Sequence, residues 1–337
     1  MVVDWQAVPG EDAVQDLTED ESAVLSETES RVIDMGADQH GERLDKALAD
    51  RVPEFSRSYL RQLLEHGAVQ LNGQPFFKVA QKVKAGDRVV LEMRPTLESQ
   101  AFKPEPMALD VVYEDDHLLV INKPAGLVVH PAPGNWSGTL LNGLMARDAK
   151  CAQMPRAGIV HRLDKDTSGL MVVARTRAAM DALVHMIAQR RVHRQYLALA
   201  HRPWQGAEAI SVDAPIGRDP RNRLRMAVVD LTMHAGKAAR TDVDLLAQGA
   251  QVCWVRCTLH TGRTHQIRVH MAFKGHPLVA DALYGGTPLA GMQRQALHAF
   301  RLAFKHPVTG DALEFLAPVP GDMRSALDDL GLGYNDS

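Results

Sequence analysis

The sequence has 337 residues, of which 45% are hydrophobic and 23% are charged, so it can bury a sizeable core and has room for roughly two or three domains. No apolar run approaches the roughly 18–20 residues that a membrane helix needs, and the acidic start lacks the order of a signal peptide. We therefore expect a cytoplasmic protein that does not contact a membrane. The three cysteines, Cys151, Cys253 and Cys257, fit neither a paired zinc motif nor a disulfide framework.

The net charge of −3 is unevenly distributed along the chain. Residues 1–40 carry eleven acidic side chains and one basic side chain, which leaves 37 basic and 30 acidic residues in 41–337. An acidic segment with little periodic apolar surface is typical of disorder, so we predict a disordered tail over 1–40. The basic remainder favours a polyanionic partner, although a solvated surface with a chance excess of lysine and arginine accounts for the charge equally well.

Residues 41–95 are predicted to form a small unit of two helices and a few short strands. Apolar residues recur at helical spacing in 44–52 and in 57–67, where Ser56 can cap the second helix and Gly67 ends it. An Asn72-Gly73 turn then separates two short strands. Basic side chains that lie off the apolar faces are candidate contacts for a nucleic acid: Arg57, Arg61, Lys78, Lys82 and Lys84.

The rest of the chain is predicted to be one larger domain, residues 108–325, which follows a polar linker over 96–107 and precedes a short tail over 326–337. Its strand patterns outnumber its helices, and the clearest helix follows Thr176. This predicts an α+β fold with a mixed or antiparallel central sheet and flanking helices. The strands are expected at 109–113, 117–122, 169–174, 194–200, 240–246 and 252–260.

The most informative segment is RAGIVHRLDKDTSGLMVVA, residues 156–174. An apolar strand leads into a polar turn and a second apolar strand leaves through Gly169, so Asp164 is expected at the mouth of a sheet. A calcium loop is excluded because its twelfth position, counted from Asp164, is Arg175 rather than glutamate. A phosphatase nucleophile is disfavoured because His161 and its neighbour interrupt the preceding strand. From these residues alone, a purely structural turn remains open.

The letters HRLDKDTSGL, residues 161–170, resemble the catalytic motif of RluA/RluD-type pseudouridine synthases. Residues 41–94 resemble an S4-type RNA-binding module, and over 41–320 the chain is most similar to the RluD branch. The resemblance continues, in order, through VINKPAGLVVHP (120–131), RQYLALA (194–200), LHTGRTHQIRVHMAFKGHPLVADALYGG (259–286) and ALHAFRLAFKHPVTG (296–310).

This resemblance implies a pseudouridine synthase fold with an S4-like domain, and an enzyme that needs no cofactor. The expected substrate is large-subunit (23S) ribosomal RNA, in particular its stem-loop helix 69, and a monomer is expected. The alternatives are a related enzyme that acts on other ribosomal positions or on transfer RNA, and an RNA-binding assembly factor that has lost catalysis.

The resemblance also assigns roles to residues. Asp164 would be the catalytic aspartate, as nucleophile or as general base, Arg268 its ion-pair partner, and Tyr196 a side chain stacked on the target uracil. We further predict that the pair of Arg268 with Asp164 is two-pronged, since the planar fork would fix the orientation of the carboxylate. His265 and Arg268 would share one face of a helix that begins at Thr264. The candidate RNA contacts near the aspartate are His161, Arg162, Arg263 and His265.

A metal site formed by His260, His265 and His270 is the rival interpretation of the histidines. No HExxH or cysteine pattern accompanies them, so no metal is predicted. The letters RLDK of the catalytic motif also occur at 43–46, on a predicted amphipathic helix with no TSG after them. Asp45 is therefore predicted to be structural.

Overall fold

A computed structural model of the protein describes residues 29–53, 55, 57–93, 101–132, 134–222 and 225–333. The chain divides into two compact units, with the boundary after Ala101. In these ranges no helix combines the length and the apolar character that crossing a membrane requires.

The first unit contains an antiparallel sheet with the strand order β1, β4, β2, β3, and two helices that share its buried core. Leu44, Leu48 and Leu60 of the helices have no exposed surface, as expected for the apolar faces seen in the sequence. The elements are β1 (Glu29–Asp34), α1 (Leu44–Arg51), α2 (Arg57–Glu65), β2 (Val69–Leu71), β3 (Gln74–Pro75) and β4 (Arg88–Met93).

The turn between β2 and β3 is confirmed, because Asn72 and Gly73 both have positive φ, 51° and 79°. The prediction of a disordered tail over 1–40 is wrong for its last part: β1 pairs with β4 along its whole length, and Ile33 is buried in the core. Acidic composition concealed this strand, because one face of a short edge strand is enough to join a core. Residues 1–28 and the predicted cap Ser56 lie outside the described residues.

The second unit is built on a mixed sheet with the strand order β5, β6, β7, β15, β8, β14, β13, β9, with β16 paired to β15. Among the described strand pairs of this sheet, β7 and β15 alone run parallel. The strands are β5 (Val111–Glu114), β6 (Leu118–Lys123), β7 (Ser168–Ala174), β8 (His193–His201), β9 (Ala209–Asp213), β13 (Arg240–Gln248), β14 (Val252–Leu259), β15 (Leu297–Lys305) and β16 (Ala312–Leu316).

In the part of the second unit that the structure describes, a small second sheet and five α-helices accompany the mixed sheet, which confirms the predicted fold class. The helix expected after Thr176 is present, and the Thr176 hydroxyl accepts a hydrogen bond from the Ala179 amide at its start. The small sheet consists of β10 (Ile216–Arg218), β11 (Met226–Val228) and β12 (Gly236–Lys237). The helices are α3 (Leu140–Arg147), α4 (Ala149–Ala152), α5 (Arg177–Ala188), α6 (Gln266–Phe273) and α7 (Gly321–Asp329).

Both ends of the predicted catalytic domain need correction. Residues 103–105, assigned to the linker, already bind α3: the Asn142 side chain donates to the Lys103 carbonyl, and the Glu105 amide donates to the Asn142 carbonyl. At the other end, the boundary at 325 falls inside α7, where Leu327 is buried. The second unit therefore starts before residue 108 and continues beyond residue 325.

Candidate active site

Asp164 begins a tight turn that leads directly into β7. The Thr167 amide donates to the Asp164 carbonyl at 3.1 Å, which closes the turn, and the Asp164 side chain is 17% exposed. Gly169 fixes the position of the turn above the sheet, because its φ is +116° and a Cβ atom there would lie 2.2 Å from the Ala299 carbonyl oxygen. Only glycine permits this approach of β7 to β15.

Two cations, the buried Lys123 and the half-buried Arg294, hold the backbone of this turn. Lys123, which is 1% exposed, donates from Nζ to the Lys165 carbonyl at 2.9 Å and to two carbonyls of residues 124–127 at 2.8 and 2.9 Å. Arg294 donates from Nη1 to the Asp166 carbonyl at 3.0 Å. Burial lowers the pKa of Lys123 to about 8, so the ammonium still carries at neutral pH the three protons that its three acceptors need.

Arg268, on α6, joins Asp164 to a second carboxylate. Its Nη1 donates to Asp164 Oδ2 at 3.0 Å, whereas Nε and Nη2 donate to the two oxygens of Asp281 at 2.7 and 2.8 Å. The predicted ion pair of Arg268 with Asp164 is present, but its predicted two-pronged geometry is wrong, because the fork binds Asp281, which is 1% exposed. Burial alone would lower the pKa of Arg268, but the hydrogen bonds and charges of Asp281 and Asp164 outweigh it and raise the pKa.

His265 lies beside the same aspartate, but not on the predicted helix. Its φ is +56°, and α6 begins only at the next residue, so the shared helix face with Arg268 is wrong. The ring still reaches the site, with Nε2 3.9 Å from Asp164 Oδ1 and Nδ1 2.8 Å from Tyr284 Oη. Burial is the main cause that lowers the pKa of His265, which keeps the ring neutral at pH 7. The Tyr284 hydroxyl also accepts from the Met226 amide at 3.1 Å.

Tyr196 lies near the middle of β8 and is 5% exposed. Burial raises the pKa of its hydroxyl, the positive charge of Arg194 opposes this, and the negative charge of Asp164 adds to it, so the phenol stays protonated. Tyr196 and Asp164 line one cleft. Most of the charged groups around that cleft are positive, which suits a polyanion: Arg162, Arg194, Arg263 and Arg268.

Comparison with known proteins agrees with this geometry. A family model described as RNA pseudouridylate synthase matches residues 117–273, and an S4 domain model matches residues 42–89. Ribosomal large subunit pseudouridine synthase D of Neisseria meningitidis serogroup B is 48% identical over 303 residues, which cover 86% of this chain and 79% of that protein. The protein of the same name from Xylella fastidiosa is 48% identical over 281 residues, 80% of this chain and 82% of that protein.

The chain belongs to the RNA pseudouridylate synthase family. A solved structure, human RNA pseudouridylate synthase domain containing 4, agrees in fold with a TM-score of 0.53 and 25% identity, over 67% of this chain and 95% of that chain. The protein is thus a pseudouridine synthase with an S4 domain as its first unit. The fold and the activity are those that the resemblance of the sequence motifs implied.

The candidate RNA-binding residues of the synthase's S4 domain differ in their surroundings. Arg57 is engaged by Asp45, to which it donates from Nε and Nη2 at 2.9 and 2.6 Å, and Asp45 is buried, in keeping with its predicted structural role. Arg61 pairs with Glu65 one turn away at 2.8 Å. The three lysines at 78, 82 and 84 are exposed, and in the described residues they form no ion pair.

The candidates near the synthase's aspartate also separate into two groups. Arg162 is exposed and Arg263 is half-buried, and both line the cleft. His161 is anchored instead: its Nε2 accepts a hydrogen bond from the Val172 amide at 3.0 Å, and burial lowers its pKa to about 3. A neutral, anchored imidazole is poorly suited to bind a phosphate, so the geometry argues against His161 as an RNA contact.

The three histidines of the rival metal interpretation do not converge in the synthase. His260 pairs with Asp242, His265 with Tyr284, and His270 with Thr241 and the Ala214 carbonyl. Throughout the described ranges, no three histidine, cysteine, aspartate or glutamate side chains are grouped as metal ligands.

Sequence reasoning missed three residues of the synthase's site: Asp281, Tyr284 and Arg194. The first two occur in VADALYGG, which belongs to one of the motifs that carry the resemblance, but the resemblance assigns no role to its residues. A carboxylate and a tyrosine in an otherwise small and apolar stretch were the available signal. Arg194 begins the quoted strand RQYLALA, where a charged residue on the same face as Tyr196 was also visible.

Proposed function

We propose that this synthase isomerises specific uridines of large-subunit (23S) ribosomal RNA, with Asp164 as its catalytic carboxylate. One observation carries the assignment of the residue: Arg268 Nη1 donates to Asp164 Oδ2 at 3.0 Å, while Nε2 of the neutral His265 ring lies 3.9 Å from Oδ1, beyond hydrogen-bond distance. One oxygen is thus fixed by an ion pair, and over the described residues the other accepts no hydrogen bond. Because Asp164 lines the cleft, we propose that a ribose C1′ reaches this second oxygen there.

The reaction suits a site of this composition. The bond between uracil N1 and ribose C1′ breaks, the base rotates, and a bond between C5 and C1′ forms, with no net redox change. The open oxygen of Asp164 can attack C1′ or accept a proton from the ribose, and both roles remain part of the proposal. We propose that no cofactor takes part.

The target base is proposed to stack on Tyr196. A uridine within a stem or a stacked loop must first rotate out of its stack to reach a side chain that is 5% exposed. The exposed Arg162 and the half-buried Arg263 are placed to bind the phosphates that stay outside the cleft. These roles explain why the mouth of the cleft is basic and its interior contains an aromatic side chain.

The choice of RNA rests on the relatives and on the S4 domain. Relatives at 43–48% identity are named ribosomal large subunit pseudouridine synthase D, and the S4 domain offers exposed lysines for a phosphate backbone. We propose helix 69 as the target region, and other ribosomal positions or transfer RNA as the alternatives. We propose that the protein is a monomer, since one chain supplies the cleft. We propose that it is cytoplasmic, since its cysteines are free and buried.

The test is to incubate in-vitro-transcribed 23S ribosomal RNA and transfer RNA with the protein in EDTA and to map pseudouridine in both. We expect modification at a few uridines of the 23S RNA and none in the transfer RNA. Asp164→Asn, which is isosteric, should abolish modification while RNA affinity stays within about twofold of wild type. Modification of transfer RNA alone would contradict the proposed substrate, and an active Asp164→Asn variant would contradict the proposed residue.

A further inference from the structure

Arg194 is a buried cation for which the protein supplies no anion. It lies on β8, two residues before Tyr196, and is 9% exposed. Over the described ranges no carboxylate lies within ion-pair distance of Arg194, its guanidinium donates no hydrogen bond, and its Nε is enclosed without a partner. Because burying an unpaired charge is costly, a ligand that supplies the missing negative charge would explain why it is there.

The fold makes room for this guanidinium inside the cleft. A Cβ atom at Gly262 would lie 2.9 Å from Arg194 Nη1, and the φ of Gly262 is not in the left-handed region. The glycine is therefore explained by the close approach of the arginine rather than by its own backbone conformation. Gly262 and Arg194 line the same cleft as Asp164.

The depth of Arg194 separates it from the arginines at the mouth. It is more buried than Arg162 and Arg263. Its positive charge lowers the pKa of Tyr196, which opposes the increase that burial causes. When a nucleotide rotates out of a stack, its phosphates stay with the strand and its base goes inward. A cation beside the stacking tyrosine therefore meets the base, whereas the outer arginines meet phosphates.

We propose that Arg194 is a further catalytic residue, which stabilises negative charge on the uracil while the base is detached from the ribose. This inference rests on the proposed function. When the N1–C1′ bond breaks, its electron pair stays on the base, and the charge spreads over N1 and the carbonyl oxygens. Arg194 donates an N–H to one of these oxygens and keeps its proton. When C5 bonds to C1′ the pair returns to the new bond, C5 loses a proton and N1 gains one.

The direct test compares Arg194→Met with wild type and with the control Arg256→Met. Arg256 lies on the neighbouring strand β14 and has its own partner, Asp244, at 3.0 Å. The measurements are the single-turnover rate of pseudouridine formation at saturating 23S transcript, the Kd for that RNA over a range of salt concentrations, and the Tm. We expect Arg194→Met to slow the single-turnover rate by about 100-fold, as loss of a fixed donor to a developing oxyanion does.

The same variant should leave the Kd and its salt dependence unchanged, and its Tm should equal or exceed that of wild type, because an unpaired buried charge has been replaced by an apolar side chain of similar length. Arg194→Lys should recover part of the rate, since it keeps the charge without the planar fork. Arg256→Met should turn over at the wild-type rate.

Three results would overturn the inference. A salt slope reduced by about 0.7, with an unchanged rate at saturation, would make Arg194 a phosphate contact. A Tm lowered by several degrees would make it structural. An unchanged rate would leave it without a catalytic role. Should Arg194→Met fail to fold, Gly262→Ala displaces the guanidinium without removing it, and the same slowing without loss of affinity is expected.

The outcome is separable from that of the proposed function, because wild type is measured beside each variant. A wild-type enzyme that modifies transfer RNA and leaves the 23S transcript unmodified would refute the proposed substrate only. The ratio of variant to wild-type rate on the RNA that is modified, together with the Tm comparison, would still decide the role of Arg194.

Discussion

Arg268 gives two hydrogen bonds to Asp281 and one to Asp164, so the catalytic candidate is the lesser of its two partners. The Asp281 side chain is fully buried and that of Asp164 is 17% exposed. Asp281 therefore fixes the orientation of the guanidinium, and the guanidinium then positions one oxygen of Asp164. This order of dependence gives different expectations for the two aspartates.

Asp281→Ala should destabilise the fold by about 3–5 kcal/mol, because it leaves Arg268 as a buried cation that has lost its two-pronged partner. Turnover should fall as well, since the guanidinium is no longer fixed. Urea unfolding measures the loss. The control is Asp181→Ala, whose ion pair with Arg177 is exposed on both sides, 61% and 67%, and should contribute less than about 1 kcal/mol. Equal losses in the two variants would contradict the expectation.

Asp164→Asn should cost little stability, below about 1 kcal/mol, although it removes activity. Arg268 keeps both bonds to Asp281, and the amide oxygen can still accept the third. The free energy of unfolding and the rate of pseudouridine formation are measured on the same preparation. If this substitution destabilised the protein as much as Asp281→Ala, Asp164 would be a structural partner of Arg268.

Lys123→Met should lower the free energy of unfolding by about 3 kcal/mol or more, because three carbonyls would lose their donor and each buried unsatisfied acceptor costs about 1–3 kcal/mol. Turnover should fall too, since one of the three belongs to the turn that carries Asp164. Lys165→Met is the matched control, as Lys165 is exposed in the same turn. A stable, slow Lys123→Met variant would assign the lysine to chemistry instead.

Acid should destabilise the protein through His298, which is 1% exposed. Burial lowers its pKa from the ordinary 6.5 to about 4, so the unfolded chain takes up a proton first as the pH falls. This contribution to stability is complete above pH 6.5 and is lost between about 6.5 and 4, with about 2–3 kcal/mol gone near pH 4.5. His298→Asn should narrow the gap between the Tm at pH 7 and at pH 4.5. If the difference between the two Tm values were the same in His298→Asn and in wild type, His298 would not be a cause of the acid sensitivity.

The sequence predicted the local parts of the site well, because their signals are local. The strand after the turn, its glycine and the cap at Thr176 lie within 20 residues of Asp164, and all are present. The strand predicted before the turn is wrong, because Ile159 forms only an isolated bridge with Val173. The Asn72-Gly73 hairpin was predictable for the same reason. Asp164 and Arg268, in contrast, were paired by resemblance alone, since 104 residues separate them.

The rest depended on packing that no local pattern records. Asp281 follows an apolar run, and no pattern around it marks it as the partner of an arginine. The sequence therefore provided no reason to expect that the guanidinium fork of Arg268 binds Asp281 rather than Asp164. The strand β1 was hidden by acidic composition, although it buries Ile33 in the core. The place of His161 beside Asp164 in the sequence predicts an RNA contact, whereas its hydrogen bond from the Val172 amide is visible only in the folded chain.

The position of β15 has a consequence for the newly made chain. In the mixed sheet it lies between β7 and β8. The strand that follows the turn of Asp164 therefore joins the strand that carries Tyr196 through β15, which begins at Leu297. Ser168 and its neighbour His298 are 130 residues apart. During synthesis, both halves of the sheet leave the ribosome before the strand that joins them. A nascent chain that ends before β15 lacks the strand that joins the two parts of the sheet, so we expect the candidate site to assemble only after β15 has left the ribosome.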